Sequence, residues 1–334
     1  MIRSSATVIG LVTTAALGQG APPNGIRPSD VRHDALVHCR VVGEPGSLLD
    51  DATIVMKDGW IVAVGPSAST TIPAGATTHD CTGLVAYAGF IEPYLQVDTT
   101  AQARAAASQA DAHWNPRVTP QVRVRDAQLP SASTRDALRD AGFCVAAAWP
   151  SSGALRGTGA ALTLAVDDAQ VAWLGDDLGQ LASFDRFTPP EGQEPPYDAP
   201  RAAAYPASRM GAIALLRQVL RDAAWHSDAV AASSQRPAGQ ERPRANAALE
   251  SLRACLPRSG AGSMQLVIEC NDEHAVLHAR RMLDEAGWHG WCVASGLEFR
   301  ELDAVVATRL PLVVPMDFAK APDLTNPRRA DQVS

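Results

Sequence analysis

The chain of 334 residues predicts an α/β protein with a small all-β unit ahead of it. Three observations carry this. Residues 34–87 read as short strands joined by Gly and Pro turns. Residues 264–315 alternate strand with helix, the pattern of a parallel sheet with helices outside it. Hydrophobic residues make up 46% and charged residues 19%, enough apolar matter for a large core.

The first 20 residues read as a secretory signal. Arg3 supplies the positive end, Ala6 to Leu17 the short apolar run, and Gly18, Gly20 and Ala21 the small residues that signal peptidase accepts. That run is too short to span a membrane, which takes roughly 20 apolar residues, and no other stretch approaches that length. The mature protein is therefore expected outside the cytoplasm, periplasmic or extracellular. Residues 21–33 form a Pro/Gly-rich linker. The net charge of −7, with no cluster of Lys or Arg, argues against a nucleic-acid surface. Of the six cysteines, Cys144, Cys270 and Cys292 lie in apolar runs and read as buried thiols. Cys39 and Cys81 share a small region and could pair.

In the β unit, Ala35–Val42 is a strand. Ala52–Met56 and Trp60–Val64 flank Lys57-Asp58-Gly59, a hairpin signal because the turn needs positive φ. Thr78–Cys81 and Leu84–Tyr87 complete the unit. Next come a strand at Phe90–Val97, a helix at Ser133–Ala141 capped by Ser133 or Thr134, and a buried strand at Phe143–Trp149. Short strands follow at Ala161–Val166 and Gln170–Leu174, then a Pro-rich loop over 183–206. Ile213, Leu216, Leu220 and Ala224 recur at helical spacing within a long helix, Ser208–Ala231. A polar loop, Ser233–Pro243, and a helix, Ala245–Cys255, precede the strands Met264–Cys270, Trp291–Ala294 and Leu312–Pro315. Helices at Asp272–Ala286 and Glu298–Thr308 separate those strands.

Several of these strings carry a resemblance. Ile54 to Gly65, then Ile72-Pro73-Ala74-Gly75-Ala76, Asp80-Cys81-Thr82-Gly83-Leu84-Val85 and Ala88-Gly89-Phe90-Ile91-Glu92 together resemble the N-terminal part of metal-dependent amidohydrolases of the imidazolonepropionase-like and dihydroorotase-like group. Ala141-Gly142-Phe143 with 153–157, the 215–228 helix, Asn271-Asp272-Glu273-His274 and Val314-Pro315-Met316-Asp317-Phe318 also resemble exported members. The resemblance implies a TIM-type (β/α)8 barrel from residue 88 onward, with its site at the C-terminal strand ends. It also implies a composite β-sandwich that includes residues 34–87. The implied activity is metal-assisted hydrolysis of C–N bonds other than peptide bonds: zinc acidifies a water and a carboxylate moves the proton.

The ligand positions depart from that pattern. The relatives' first barrel strand carries two histidines one residue apart, which share a face; here those places hold Tyr94 and Gln96. Glu269 and Ser295 stand at the fifth- and sixth-strand histidine positions. No lysine lies between Lys57 and Lys320 to bridge two metals. The elements run out after a seventh strand, so the barrel is expected to be incomplete, to lack the strand bearing the catalytic aspartate, and to leave edge strands unpaired. This set predicts no zinc and a pseudoenzyme. Tyr94, Gln96, Glu269 and Ser295 remain candidates to line a pocket for a small molecule. The strand-end acids Glu92, Asp98, Glu269, Asp272 and Asp317 are the alternative, oxygen-only set, suited to Ca²⁺ or Mg²⁺ if they converge at the barrel top; Glu92 and Asp317 otherwise read as solvated or capping helices. His274 and His278, four apart on a helix, are a weak metal pair without the Glu of a HExxH motif. His113, in the loop after the first strand, reads as a surface-loop histidine, the other reading being that it faces the pocket. The other reading of the whole chain is an exported, non-catalytic binding or scaffold protein on a degenerate fold.

Overall fold

The computed structural model describes residues 32–44, 46–165, 172–184, 205–236, 239, 241–257 and 264–316. The signal, nearly all of the linker, most of the 183–206 loop, and the end of the chain with Asp317 lie outside these. The chain divides into two compact units at Ala88/Gly89.

The first unit is one five-stranded sheet: β1 (His33–Glu44), β2 (Ser47–Lys57), β3 (Trp60–Pro66), β4 (Thr77–Asp80) and β5 (Val85–Tyr87). Its order is β3-β2-β1-β4, with β5 also on β1; β2 runs antiparallel to β1, while β4 and β5 run parallel to it. Asp58 and Gly59 take φ of 50° and 85°, so the β2–β3 hairpin forms where the Asp-Gly pair places it. Alternation buries Cys39, Val41, Ala52 and Ile54 on one face. Cys39 and Cys81 are free thiols rather than a disulfide. Strand β3 leaves apolar surface open; Trp60 is 78% exposed.

The second unit is mixed α/β. One sheet has the order β10-β9-β7-β6, from β6 (Phe90–Val97), β7 (Phe143–Pro150), β9 (Ala160–Thr163) and β10 (Trp173–Gly175). The other has the order β14-β13-β12-β11-β8, from β8 (Leu155–Thr158), β11 (Gln180–Ser183), β12 (Leu266–Glu269), β13 (Gly290–Val293) and β14 (Leu312–Val313). Strands β6 and β7 are parallel, as are β11 through β14. The chain passes from the second sheet to the first at Gly159, between β8 and β9. Trp149 packs there so closely that a Cβ on Gly159 would sit 2.4 Å from the indole.

Period-two alternation sorts the side chains of both sheets onto two sides. Tyr94, Ala147, Trp149, Leu181, Val267, Trp291 and Val293 join in one cluster drawn from five strands of both sheets, with Trp149 and Trp291 edge to face at 5.6 Å. Their neighbours Ala182, Leu266, Ile268 and Cys292 point the other way, into a larger core shared with the helices. The helices are α1 (Thr100–Ala107), α2 (Ala132–Asp140), α3 (Arg209–Gln235), α4 (Ala247–Ser251), α5 (Glu273–Ala286) and α6 (Leu302–Thr308). No helix among the described residues is long and apolar enough to cross a membrane.

Several sequence expectations shift. Ser131, not Ser133 or Thr134, caps α2, accepting from the Thr134 N–H. The expected single helices over 245–255 and 298–308 each split into an α and a 3-10 segment. Strands β8 and β11 and helix α1 appear where no element was expected. Each is short and interrupted by Gly or polar residues, and each is held by pairing with distant strands or by packing rather than by its own pattern. Cys144 is exposed rather than buried: it lies near the start of β7 beside Gly89, whose missing side chain leaves its thiol room.

Candidate functional site

Alternation also builds the site. On β12 Val267 faces the inner cluster, so Glu269, two residues on, faces the same way at the strand tip. Tyr94 and Gln96 share a face of β6 for the same reason. On β8 Leu155 enters the outer core, which turns Arg156 inward.

These four side chains meet. Arg156 Nη2 lies 2.5 Å from Glu269 Oε2, with side chains 6% and 18% exposed. The Tyr94 hydroxyl donates to Glu269 Oε1 at 3.0 Å. Gln96 Nε2 donates to the same oxygen at 3.0 Å and to the Tyr94 hydroxyl oxygen at 2.9 Å. Arg156 Nε also donates to the Gly153 carbonyl at 3.1 Å. Both oxygens of Glu269 are thus engaged by internal donors. Burial, reinforced by the negative charge of Glu269, pushes the Tyr94 phenol well above its ordinary pKa, so it stays a neutral donor.

Sequence reasoning placed Tyr94, Gln96 and Glu269 but missed Arg156. The one available signal was a lone Arg in Gly153-Ala154-Leu155-Arg156-Gly157, a charge flanked by small and apolar residues. Ser295 is used otherwise: its hydroxyl donates to Glu298 Oε1 at 2.9 Å, and Glu298 also accepts from the Ser295 and Gly296 N–H groups.

Of the other described strand-end acids, Glu92, Asp98 and Asp272 each accept from a backbone N–H two or three residues on. Glu92 accepts from the Tyr94 N–H at 2.9 Å. Asp98 accepts from the Thr100 hydroxyl and N–H, which hold its pKa down. Asp272 caps α5 through the Ala275 N–H and pairs with Arg209. His278 is not part of the three-residue acid and histidine group around His274. The ligand atoms of His274 lie within 4.8 Å of those of Asp272 and Glu273 instead, and Asp272 is already committed to its helix and to Arg209. His113 is buried, 6% exposed, not on the surface. Asn115 donates to its Nδ1 at 3.1 Å, and Trp114, stacked toward Tyr205, covers it.

The donor set does not fit a catalytic zinc. Such a site uses three His, Cys or carboxylate ligands and an open position. The side chains gathered here are a neutral phenol, an amide, and a carboxylate paired with a guanidinium, with no imidazole or thiolate among them.

No protein-family model matches the chain, and no curated protein matches its sequence. Among solved structures, an amidohydrolase from Thermotoga maritima MSB8 is similar over 87% of this chain and 72% of its own, at 15% identity and a TM-score of 0.62. Weaker likenesses are a prolidase complexed with N-methylphosphonate-L-proline (14% identity, 86% and 78% covered, TM-score 0.37) and an L-hydantoinase from Arthrobacter aurescens (13%, 78% and 57%, TM-score 0.25). The fold is amidohydrolase-like.

Proposed function

We propose that the chain is an exported, non-catalytic relative of metal-dependent amidohydrolases, in which the Arg156–Glu269 pair takes the place of a zinc centre. We read the two sheets of its second unit as part of a (β/α)8 barrel and the first unit as part of the composite β-sandwich. The observation that carries the reading is the full engagement of Glu269. A metal at this carboxylate would have to sit against the Arg156 guanidinium, and a fixed positive charge among the strand tips opposes the approach of a divalent cation. Without a metal-activated water, Tyr94 and Gln96 offer no strong base to replace it. The remaining chemistry is that of a polar, hydrogen-bonded floor suited to holding a small ligand rather than cleaving one.

The alternative is a working hydrolase of non-peptide C–N bonds, which the N-terminal strings imply. Metal analysis of the purified full chain after incubation with zinc and dialysis separates the two. The expected result is no stoichiometric zinc and no zinc-dependent turnover of hydantoins, lactams or dipeptides. About one retained zinc per chain, as in catalytic sites of the usual kind, would overturn the reading.

A further inference from the structure

Away from the strand tips, a cavity of about 560 Å³ opens between α3, α5 and the turn after α4. That volume is within the usual range of small-molecule sites. Its floor is apolar and buried: Leu220, Leu256, Met282 and Trp288. Three arginines line it, Arg217, Arg221 and Arg253, against two carboxylates, Asp228 and Glu285.

The arginines are not equivalent. Arg217 is held by Glu285, with Nε 2.8 Å from Oε2 and Nη2 2.9 Å from Oε1. Arg253 pairs with Glu250 at 3.3 Å. Arg221, one turn along α3 from Arg217, is exposed and makes no ion pair or hydrogen bond with any other described residue. A guanidinium presents a fork of donors that matches a carboxylate. Beside it lies an apolar floor that would remove a short hydrocarbon from water, at a gain that grows with each CH₂ buried.

We infer that this cavity is a binding site for a small single-tailed carboxylate, with Arg221 taking the head group and Leu220, Leu256, Met282 and Trp288 the tail. The site is independent of the Arg156–Glu269 pair, so its failure would leave the preceding reading untouched. Both halves of the ligand are required: acetate lacks the tail and decanamide lacks the charge.

Calorimetric titration of the full chain with decanoate below its micelle concentration tests this, with decanamide and acetate as controls. Decanoate should bind at one site and acetate should not bind detectably. Arg221→Gln should weaken decanoate at least about tenfold, the loss of one charge-assisted bidentate contact, and leave decanamide unchanged. Ala224→Trp, placed at an exposed position on the lining, should fill the cavity and remove decanoate binding while circular dichroism stays that of the parent. Trp288→Phe should abolish the fluorescence change that decanoate produces. Equal affinity for decanoate and decanamide, an unaltered affinity in Arg221→Gln, or no binding at all would each overturn the assignment.

Discussion

Replacing Arg156 by Met tests whether the pair at the strand tips is the structural unit described above. The substitution keeps most of the side chain's length and removes its charge. Glu269, 18% exposed in the parent, then keeps two neutral donors, Tyr94 and Gln96, on one oxygen and loses the guanidinium from the other. Breaking a buried ion pair from one side costs about 3–5 kcal/mol. The two remaining donors and the residual exposure place the expected loss near the lower end, about 3 kcal/mol. For a unit of this size that lowers Tm by roughly 6–12 °C. The double variant Arg156→Met/Glu269→Leu removes both charges and should recover to within about 1 kcal/mol of the parent, since apolar replacement of a buried pair is often neutral. Urea and thermal unfolding followed by far-UV circular dichroism report both values. A single variant that loses less than about 1 kcal/mol, or a double variant less stable than the single, would refute the argument, because the pair would then not be a buried, mutually dependent unit.

Three further predictions follow from individual groups. Burial lowers the His113 pKa, so the folded state favours its neutral form; the chain should be unaffected by this residue above about pH 6.5 and lose stability progressively below it, and His113→Phe should flatten that part of the pH–stability curve. Burial raises the Asp272 pKa, but the Ala275 N–H and Arg209 outweigh it and the net shift is downward; its stabilisation is present above about pH 4 and lost as pH falls through the lower folded value, so Asp272→Ala should cost about 1 kcal/mol at neutral pH and little in acid, by urea unfolding at both pH values. Thiol labelling of the native chain should reach exposed Cys144 first, whereas Cys255, pushed up to about 12 by burial, and Cys270, raised by its hydrogen bond with Cys292 and by burial, should react only on unfolding; modification of Cys270 at the rate of Cys144 would contradict the packing.

What was legible in advance was local. The Asp58-Gly59 turn follows from the demand for positive φ, and the Gly287 stop of α5 from the same demand at φ 67°. Strands with an unbroken apolar run, such as β7 and β12, were found because their burial on both faces is written into consecutive residues. Strands β8 and β11 were missed because they pair with segments far away in the chain: Leu181 pairs with Gly157 on one side and Val267 on the other. Nothing within four residues announces such pairing.

The sequence by itself determined which chemical groups are present at the strand tips, because the two-residue period of a strand fixes that Tyr94 and Gln96 share a face and that no histidine stands with them. Only the tertiary structure decided what those groups do. Arg156 reaches Glu269 across 113 positions of chain, along a contact set by how β8 crosses from one sheet to the other at Gly159. The same holds for the cavity: Arg217 and Arg221 are one turn apart by helical geometry, but their different states depend on where Glu285 arrives from another helix. Local conformation is governed by neighbours in sequence, whereas the pairing of charges is governed by distances that exist only once the chain has closed on itself.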